Sequence, residues 1–336
     1  MSSPSERTIS FIIPVFNRQD EVEELLASMA AQTEGGFEVV LVEDGSEHKS
    51  DEIAERYADR LNVKYFYKAN SGPGQSRNYG FERASGNYGI FLDSDCVLPP
   101  DYFRVITQAL RERNLDCFGG PDAAHEDFTD TQKAINYAMT STFTTGGIRG
   151  SSEKMEKFHP RSFNMGYSRE VFEQTGGFSK LRFGEDIDMS IRINRAGFTA
   201  GLVKEAFVYH KRRATLRQFF KQVFNSGIAR INLHKAHPGS LKLVHFAPAV
   251  FTLGVTFAVL LGLIWSPVFF AVPLIYALLI LVDATVKTGS LTIGARAVVA
   301  SFVMLFGYGT GFLSAFWKRI VLGKDVYSAF EKTFYD

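Results

Sequence analysis

The sequence predicts an α/β protein: a mostly parallel sheet covered by helices on both faces, followed by a basic amphipathic helix and then by membrane-spanning helices. Three observations predict it. From Thr8 onward short apolar runs alternate with segments of helical period, and strands joined by crossovers of that length pair in parallel. Charge is unevenly divided, with 14 basic and 4 acidic residues from Ala206 to the end against 23 and 32 before it. Finally, Val244 to Trp265 contains no Asp, Glu, Lys or Arg, and at about 1.5 Å per residue it would cross a hydrocarbon core of about 30 Å. An acidic part in water joined to a basic, apolar part in lipid is the organisation these features imply.

Composition excludes several classes. Hydrophobic content of 46% and aromatic content of 14% are too high for a disordered chain. Cys96 and Cys117 alone provide neither a disulfide framework nor a zinc spacing, so reduced, cytosolic thiols are expected. Met1 to Arg7 is polar and lacks the pattern of a secretory signal, which places the start of the N-terminal part in the cytosol. No nucleic acid is expected as a partner.

In order, Ile9 to Val15 reads as a strand, and Val22, Leu25, Leu26 and Met29 fall at helix spacing, with Asp20 and Glu23 as a capping box. Phe37 to Val42 is a strand, Glu52 to Ala58 a helix, Val63 to Tyr67 a strand, the stretch after Gly74 a helix and Tyr88 to Leu92 a strand. Thr140 to Pro160 reads as a mobile loop. Order returns with a strand at Phe163 to Tyr167, a short helix from Arg169 and the Gly176-Gly177 turn. A helix from about Glu185 places Ile187 and Ile191 on one face and ends at Gly197.

Thr215 to Leu233 places Leu216, Phe219, Phe220, Val223, Phe224, Ile228 and Ile231 on one side, which suits an interfacial helix on anionic lipid or a surface helix packed on the catalytic domain. After Val244 to Trp265, the break at Trp265-Ser266-Pro267 suggests a hairpin. Pro267 to Val282 is somewhat short for a span, and Ala297 to Trp317 is ample. The expected organisation is residues 1–210 as the catalytic domain, 211–243 as the basic interfacial segment and 244–336 as a region of two to three spans. The basic residues from Lys211 to Lys242 hold the N-terminal domain in the cytoplasm, and Lys287 and Arg296 fit the same side after two spans. A third span would put Lys318, Arg319 and Lys324 on the far side, so Pro267 to Val282 is either a span or re-entrant.

The sharpest chemical signal is Phe91-Leu92-Asp93-Ser94-Asp95, an apolar strand ending in two carboxylates. Acids so placed repel unless a cation lies between them, and their oxygens suit Mg or Mn bound to phosphates. Phe11-Ile12-Ile13-Pro14-Val15-Phe16-Asn17, Val42-Glu43-Asp44-Gly45-Ser46 and Ser71-Gly72-Pro73-Gly74-Gln75-Ser76-Arg77-Asn78 also fall at strand carboxyl ends, where ligands of parallel sheets bind. In order and spacing these motifs, over Ile9 to His210, resemble an inverting family 2 glycosyltransferase with the GT-A (Rossmann-like) fold.

The resemblance implies that Pro14, Asn17, Asp44, Arg77 and Asp93 bind the nucleotide donor, with Asp44 on the base and Arg77 facing base or phosphate. By the residues alone, Asp44 reads as a turn residue before Gly45. Asp95 is implied as the metal ligand, and His210 as a second group approaching the metal or diphosphate. Glu185-Asp186 resembles the family's acidic pair, with Asp186 as the base that deprotonates the acceptor and Glu185 beside it. Acids at a helix start also simply complement its dipole. Gly176-Gly177-Phe178 and Phe163-Asn164-Met165-Gly166 resemble the acceptor-side wall. Lys211-Arg212-Arg213 stands where processive synthases carry Gln-x-x-Arg-Trp, which favours transfer of a single sugar.

The expected activity is therefore inverting transfer from a UDP- or GDP-sugar to a lipid-linked acceptor in cell-envelope glycan or glycolipid synthesis. The enzyme would be integral to the bacterial inner membrane, would face the cytoplasm and would contact anionic lipids. The alternatives are a polyprenyl-phosphate sugar synthase and a non-catalytic, membrane-tethered nucleotide-sugar binding protein.

Overall fold

The computed structural model describes residues 7–123, 128–145, 159–211 and 213–330. The chain divides into two compact units, Met1–His125 with Lys154–Lys211 and Glu126–Glu153 with Arg212–Asp336. The sequence places everything up to residue 210 in one domain; the structure instead groups Glu126–Glu153 with the second unit. Of the stretch read as a mobile loop, 146–158 lies outside the described residues, and Thr142–Thr145 is a helical turn.

Along the chain the elements are β1 (Ile9–Val15), α1 (Gln19–Ala30), β2 (Glu38–Asp44), α2 (Asp51–Arg56), β3 (Asn62–Lys68), α3 (Pro73–Arg83), β4 (Tyr88–Leu92), β5 (Cys96–Val97), α4 (Tyr102–Arg113), β6 (Cys117–Gly119) and β7 (Asp122–Ala123). In the second unit α5 (Asp130–Thr140) and α6 (Thr142–Thr145) come next, and the first unit resumes with β8 (Asn164–Ser168), α7 (Arg169–Thr175), α8 (Glu185–Arg195), β9 (Ala200–Leu202) and β10 (Val208–His210). The second unit then continues with α9 (Leu216–Ala236), α10 (Ala247–Ile264), α11 (Ala271–Thr288) and α12 (Leu291–Ala315).

The first unit is built on a seven-stranded sheet in the order β3-β2-β1-β4-β8-β6-β9, in which β8 runs against both of its neighbours. The other pairs are parallel. Alternate residues feed two cores: Phe11, Ile13, Val39 and Leu41 on one face, Ile12, Val40, Val42 and Phe91 on the other. Pairing of β1 with β4 stops at Ile12, so Pro14, which has no N–H to give, meets only Val42 of β2. The β1 strand therefore ends in a chain free to turn outward at its carboxyl end.

One local expectation fails. Asp20 and Glu23 form no capping box: α1 begins at Gln19 behind Arg18, so Asp20 is already inside the first turn, and Glu23 instead accepts from Tyr57 Oη at 3.0 Å and pairs with Arg56. In α8 the buried apolar residues are Met189 and Ile193, while Ile187 and Ile191 are half-buried. The buried side of that helix also carries Glu185, Asp186 and Asp188, so acids occupy positions where hydrophobic periodicity assumes apolar ones.

In the second unit α9 lies against α12 so closely that a Cβ on Gly227 would fall 2.2 Å from the Tyr308 carbonyl oxygen. Phe219, Val223, Ile228 and Ile231 are buried in this contact. The apolar side of α9 is thus covered by protein, which corrects its reading as a helix laid on lipid. Among the described residues three helices are long and apolar enough to cross a membrane: Leu243–Ile264, Pro267–Thr288 and Leu291–Val321. The second extends past Val282 to Thr288, so it reaches 22 residues and is not short. Along α10 and α11, Val250, Leu253, Phe257, Leu274, Ile275 and Leu278 are exposed.

Candidate functional site

Asp93 and Asp95 leave the carboxyl end of β4, and a second, three-stranded sheet gathers partners around them. Its order is β5-β10-β7, with His210 opposite Cys96 and Val208 opposite Asp122. Nε2 of His210 stands 3.1 Å from Oδ1 of Asp95 and 3.7 Å from Oδ2 of Asp93, and its Nδ1 is 3.9 Å from Oδ2 of Asp122. The Phe163 ring stacks on the imidazole at 4.9 Å and fixes its plane. Asp95 Oδ1 and Asp93 Oδ2 converge on the Nε2 edge of His210, a hard, mainly oxygen donor set that suits Mg or Mn, while Asp122 lies on the other, Nδ1, edge of the ring. The Cys96 sulfur is also near. Burial, reinforced by Asp95 and Asp93, pushes that thiol well above its usual range, so it stays protonated and is a poor ligand.

Arg77, from α3, is 2% exposed and does not face an open base or phosphate subsite. Its guanidinium donates to Oδ1 of Asp93 at 2.5 Å and to Oε1 of Glu185 at 3.1 Å, with the Phe178 ring 5.4 Å away. Burial works against its charge, and Asp93 and Glu185 more than offset that. It is a strut that locks one acid of the strand end against one acid of the helix start.

Gly184 holds a φ of +83° just before α8, which lets the chain turn into the helix with Glu185 and Asp186 at its mouth. The two acids are driven apart. Burial, and then the charge of Asp186, raises Glu185 to about 7. Burial would raise Asp186 as well, but Arg161, donating from Nε to Oδ2 at 2.5 Å, brings it below the ordinary range. The Arg161 side chain is 41% exposed, so this partner reaches solvent. Asp188 turns away, pairing with Arg192 at 2.7 Å, and Arg192 in turn holds the Thr175 and Gly177 carbonyls.

At the β2 end Asp44 is buried, accepting from the Ser71 and Gly72 amides at 2.9 and 2.8 Å and pairing with Lys68. In this structure it holds the turn that enters α3. Asn17, at φ +51°, accepts from the Glu47 amide at 2.9 Å and receives its own N–H partner in Ser46 Oγ at 2.8 Å. Pro14 is half-buried beside them. Asn164 and Met165 are fully buried in the sheet, with Asn164 tied to Tyr102 and Ala206, so of the expected acceptor-side stretch Phe163–Gly166 these two residues cannot form a wall.

The structure thus gathers Asp93, Asp95 and His210 past the end of β4, ties Asp93 through Arg77 to Glu185 beside Asp186, and leaves Pro14, Asn17 and Asp44 on the β1–β2 side. Asp122 and Arg161 are absent from the sequence reading. Gly119-Gly120-Pro121-Asp122 repeats the signature of an acid just past an apolar strand and points to Asp122; nothing in the local pattern singles out Arg161.

Residues 10–176 match the family described as Glycosyl transferase family 2. The chain carries a glycosyl transferase family 2 domain. The chain is 27% identical over 218 residues to the uncharacterized glycosyltransferase EpsJ of Bacillus subtilis, covering 62% of this chain and 63% of that relative. It is 26% identical over 251 residues to glycosyltransferase AglE of Haloferax volcanii, covering 73% and 80%. Against the uncharacterized glycosyltransferase RC0461 of Rickettsia conorii, 36% identical over 111 residues, the match spans only 18% of the relative. Among solved structures, mannosyltransferase PcManGT from Pyrobaculum calidifontis, in complex with GDP-Man and Mn2+, aligns with a TM-score of 0.59 at 14% identity over 93% of this chain and 88% of that one. S. aureus TarS 1-349 in complex with UDP-GlcNAc aligns at 0.51 and 19% identity over 97% and 95%. At such identities the family 2 domain shares the GT-A-like fold with both, followed here by the apolar helices.

Proposed function

We propose that this protein is a membrane-attached, inverting glycosyltransferase that moves a single sugar from a nucleoside diphosphate sugar to a lipid-linked acceptor in cell-envelope glycan or glycolipid synthesis. The observation that carries the reading is the linked cluster of acids. Asp93, Asp95, Asp122 and His210 stand at strand carboxyl ends in a family 2 domain, with Glu185 and Asp186 opposite. Apolar helices follow in the same chain, supporting an integral membrane protein whose first unit faces the cytoplasm.

Asp95 and His210 would hold Mg or Mn, with Asp93 at the ribose or the ion and Asp122 beside the other ring nitrogen of His210, where it would orient the imidazole. A divalent ion bound there would neutralise the departing diphosphate. Pro14, Asn17 and the Asp44–Lys68 pair would line the nucleoside side. Arg77 keeps Asp93 and Glu185 in register, so donor and acceptor subsites share one frame. Asp186 would take the proton of the acceptor hydroxyl as it attacks the anomeric carbon from the face opposite the leaving group, which gives inversion.

One observation favours a second reading. Arg161 holds Asp186 as a low-lying, ion-paired carboxylate, which blunts a base. A polyprenyl-phosphate acceptor arrives ionised and needs none, so a polyprenyl-phosphate sugar synthase is the alternative.

The test is a screen of UDP- and GDP-sugars for thermal protection of the full chain with Mg or Mn and with EDTA, followed by transfer to lipid extract with the protective donor. Protection should require the metal, and Asp95→Asn should weaken donor binding by about tenfold or more, the loss of a charge-assisted contact. Equal protection with and without metal would remove the metal assignment.

A further inference from the structure

Among the described residues, no acid forms an ion pair with Arg230 of α9 or with Lys242 just beyond that helix. Arg230 and His234 stand one turn apart on α9, and Ser240, Lys242 and His245 follow in the connection to α10. The two segments converge, since Leu241 and Phe246 of the connection pack in one cluster with Ile228 and Ile231 of α9. Nε of Arg230, Nδ1 of His234 and Oγ of Ser240 are buried and have no hydrogen-bond partner among the described residues. His245 accepts from the Lys242 amide through Nδ1 at 2.9 Å, which leaves Nε2 as its donor. The sequence holds no Asp or Glu between Glu205 and Asp283. Within a few residues there are thus two permanent cations and three further donors, and no anion.

We propose that Arg230, His234, Ser240, Lys242 and His245 form a discrete site for the phosphate of an anionic lipid headgroup. A guanidinium fork, an ammonium, a hydroxyl and imidazole N–H groups are the donors that tetrahedral phosphate oxygens take. A lipid is favoured over a free anion by what adjoins the site. Leu243 is 91% exposed, Val244 and Val250 are exposed beyond it, and they open the 22-residue apolar helix Leu243–Ile264, so acyl chains attached to the phosphate have an apolar surface to follow. The inference rests on the reading of the second unit as membrane-embedded, and on nothing in the transfer reaction.

The experiment uses the full chain in neutral detergent, with thermal midpoints measured against added dioleoylphosphatidylglycerol, dioleoylphosphatidylcholine or inorganic phosphate. Phosphatidylglycerol should raise the midpoint saturably by several degrees, and the other two should not. Arg230→Gln and Lys242→Gln should each raise the half-saturating phosphatidylglycerol concentration by about tenfold, the loss of one charge-assisted contact. Lys287→Gln, at the end of α11, should leave it unchanged. Lys242 is exposed, so its variant remains informative if Arg230→Gln folds poorly. A shift reproduced by inorganic phosphate would make this a free-anion site and overturn the lipid assignment. Equal action of phosphatidylcholine, or unchanged dependence in both variants, would overturn the site. Nucleotide-sugar protection read on the same samples separates failure here from failure of the transferase reading.

Discussion

Two adjacent carboxylates at the mouth of α8 are asked to do different work, and their surroundings already divide them. Glu185 is buried against Arg77 and the charge of its neighbour, while Asp186 reaches the solvent-exposed Arg161. A base positioned on an acceptor hydroxyl contributes about 10² to 10⁴ in rate. Asp186→Asn should therefore lower transfer by about that factor with donor binding kept, and Glu185→Gln should be milder in the chemical step; transfer rate and donor affinity measured on both variants decide. Near wild-type transfer by Asp186→Asn would turn the reading to an acceptor already ionised. Glu185 also makes a stability prediction. Its folded value, about 7 against an ordinary 4.5, is raised, so its proton contributes stability fully below 4.5 and that contribution is lost as pH rises through about 7. Wild-type protein should lose thermal midpoint across that window, and Glu185→Gln, which stays neutral, should lose less. Parallel slopes in the two proteins would mean that Glu185 ionises without strain.

At the scale of elements, backbone contact sets what the helices tolerate. A Cβ at Gly311 of α12 would lie 2.1 Å from the Phe224 carbonyl oxygen of α9, whereas at Gly254 of α10 it would meet nothing within 4 Å. Gly311→Ala should destabilise by about 1–3 kcal/mol or more, as overpacking does, while Gly254→Ala should be neutral or gain up to about 1 kcal/mol. Detergent-solubilised melting of the two variants checks this, and equal midpoints would mean that α9 and α12 are not in contact. The same geometry explains what the sequence made legible. Strands β1 to β4 of the main sheet and the acid pair at the end of β4 follow from period and position, because each repeats a local rule, whereas β6 and β9 of that sheet, three residues each, are too short to show a period. Two-residue strands such as β5 and β7 have no period to detect, so the gathering of Asp122 toward His210 was not visible. Nor was the burial of Arg77, which depends on Glu185, a residue far along the chain. The covering of α9 by α12 was hidden for a further reason: an amphipathic stripe looks the same whether lipid or another helix fills it.

For the molecule as a whole, the division between an acidic first unit and a basic, apolar second one predicts recovery in the membrane fraction, but the path of the second unit says more. Arg319 donates to Oδ1 of Asn232 at 2.7 Å, and Lys235 donates to the Arg319 carbonyl at 3.0 Å. Phe246, just before α10, packs on Phe312 near the end of α12 with ring centres 5.1 Å apart. The apolar helices therefore leave from the end of the unit to which they return, and Lys318, Arg319 and Lys324 come back to the end that holds Arg230 and Lys242. Three full crossings in series would finish at the opposite end. That packing predicts an even number of crossings, with α10 and α11 together making a shallower excursion than two complete spans, which would remove the charge conflict of a basic tail on the far side. Cysteines placed at the exposed positions Pro238 and Lys324 should then react with a membrane-impermeant maleimide from the same side of sealed vesicles; the native Cys96 and Cys117 are buried and give little background. Labelling of the two positions from opposite sides would establish three crossings in series and would show that the packing of the tail against α9 does not persist in the membrane.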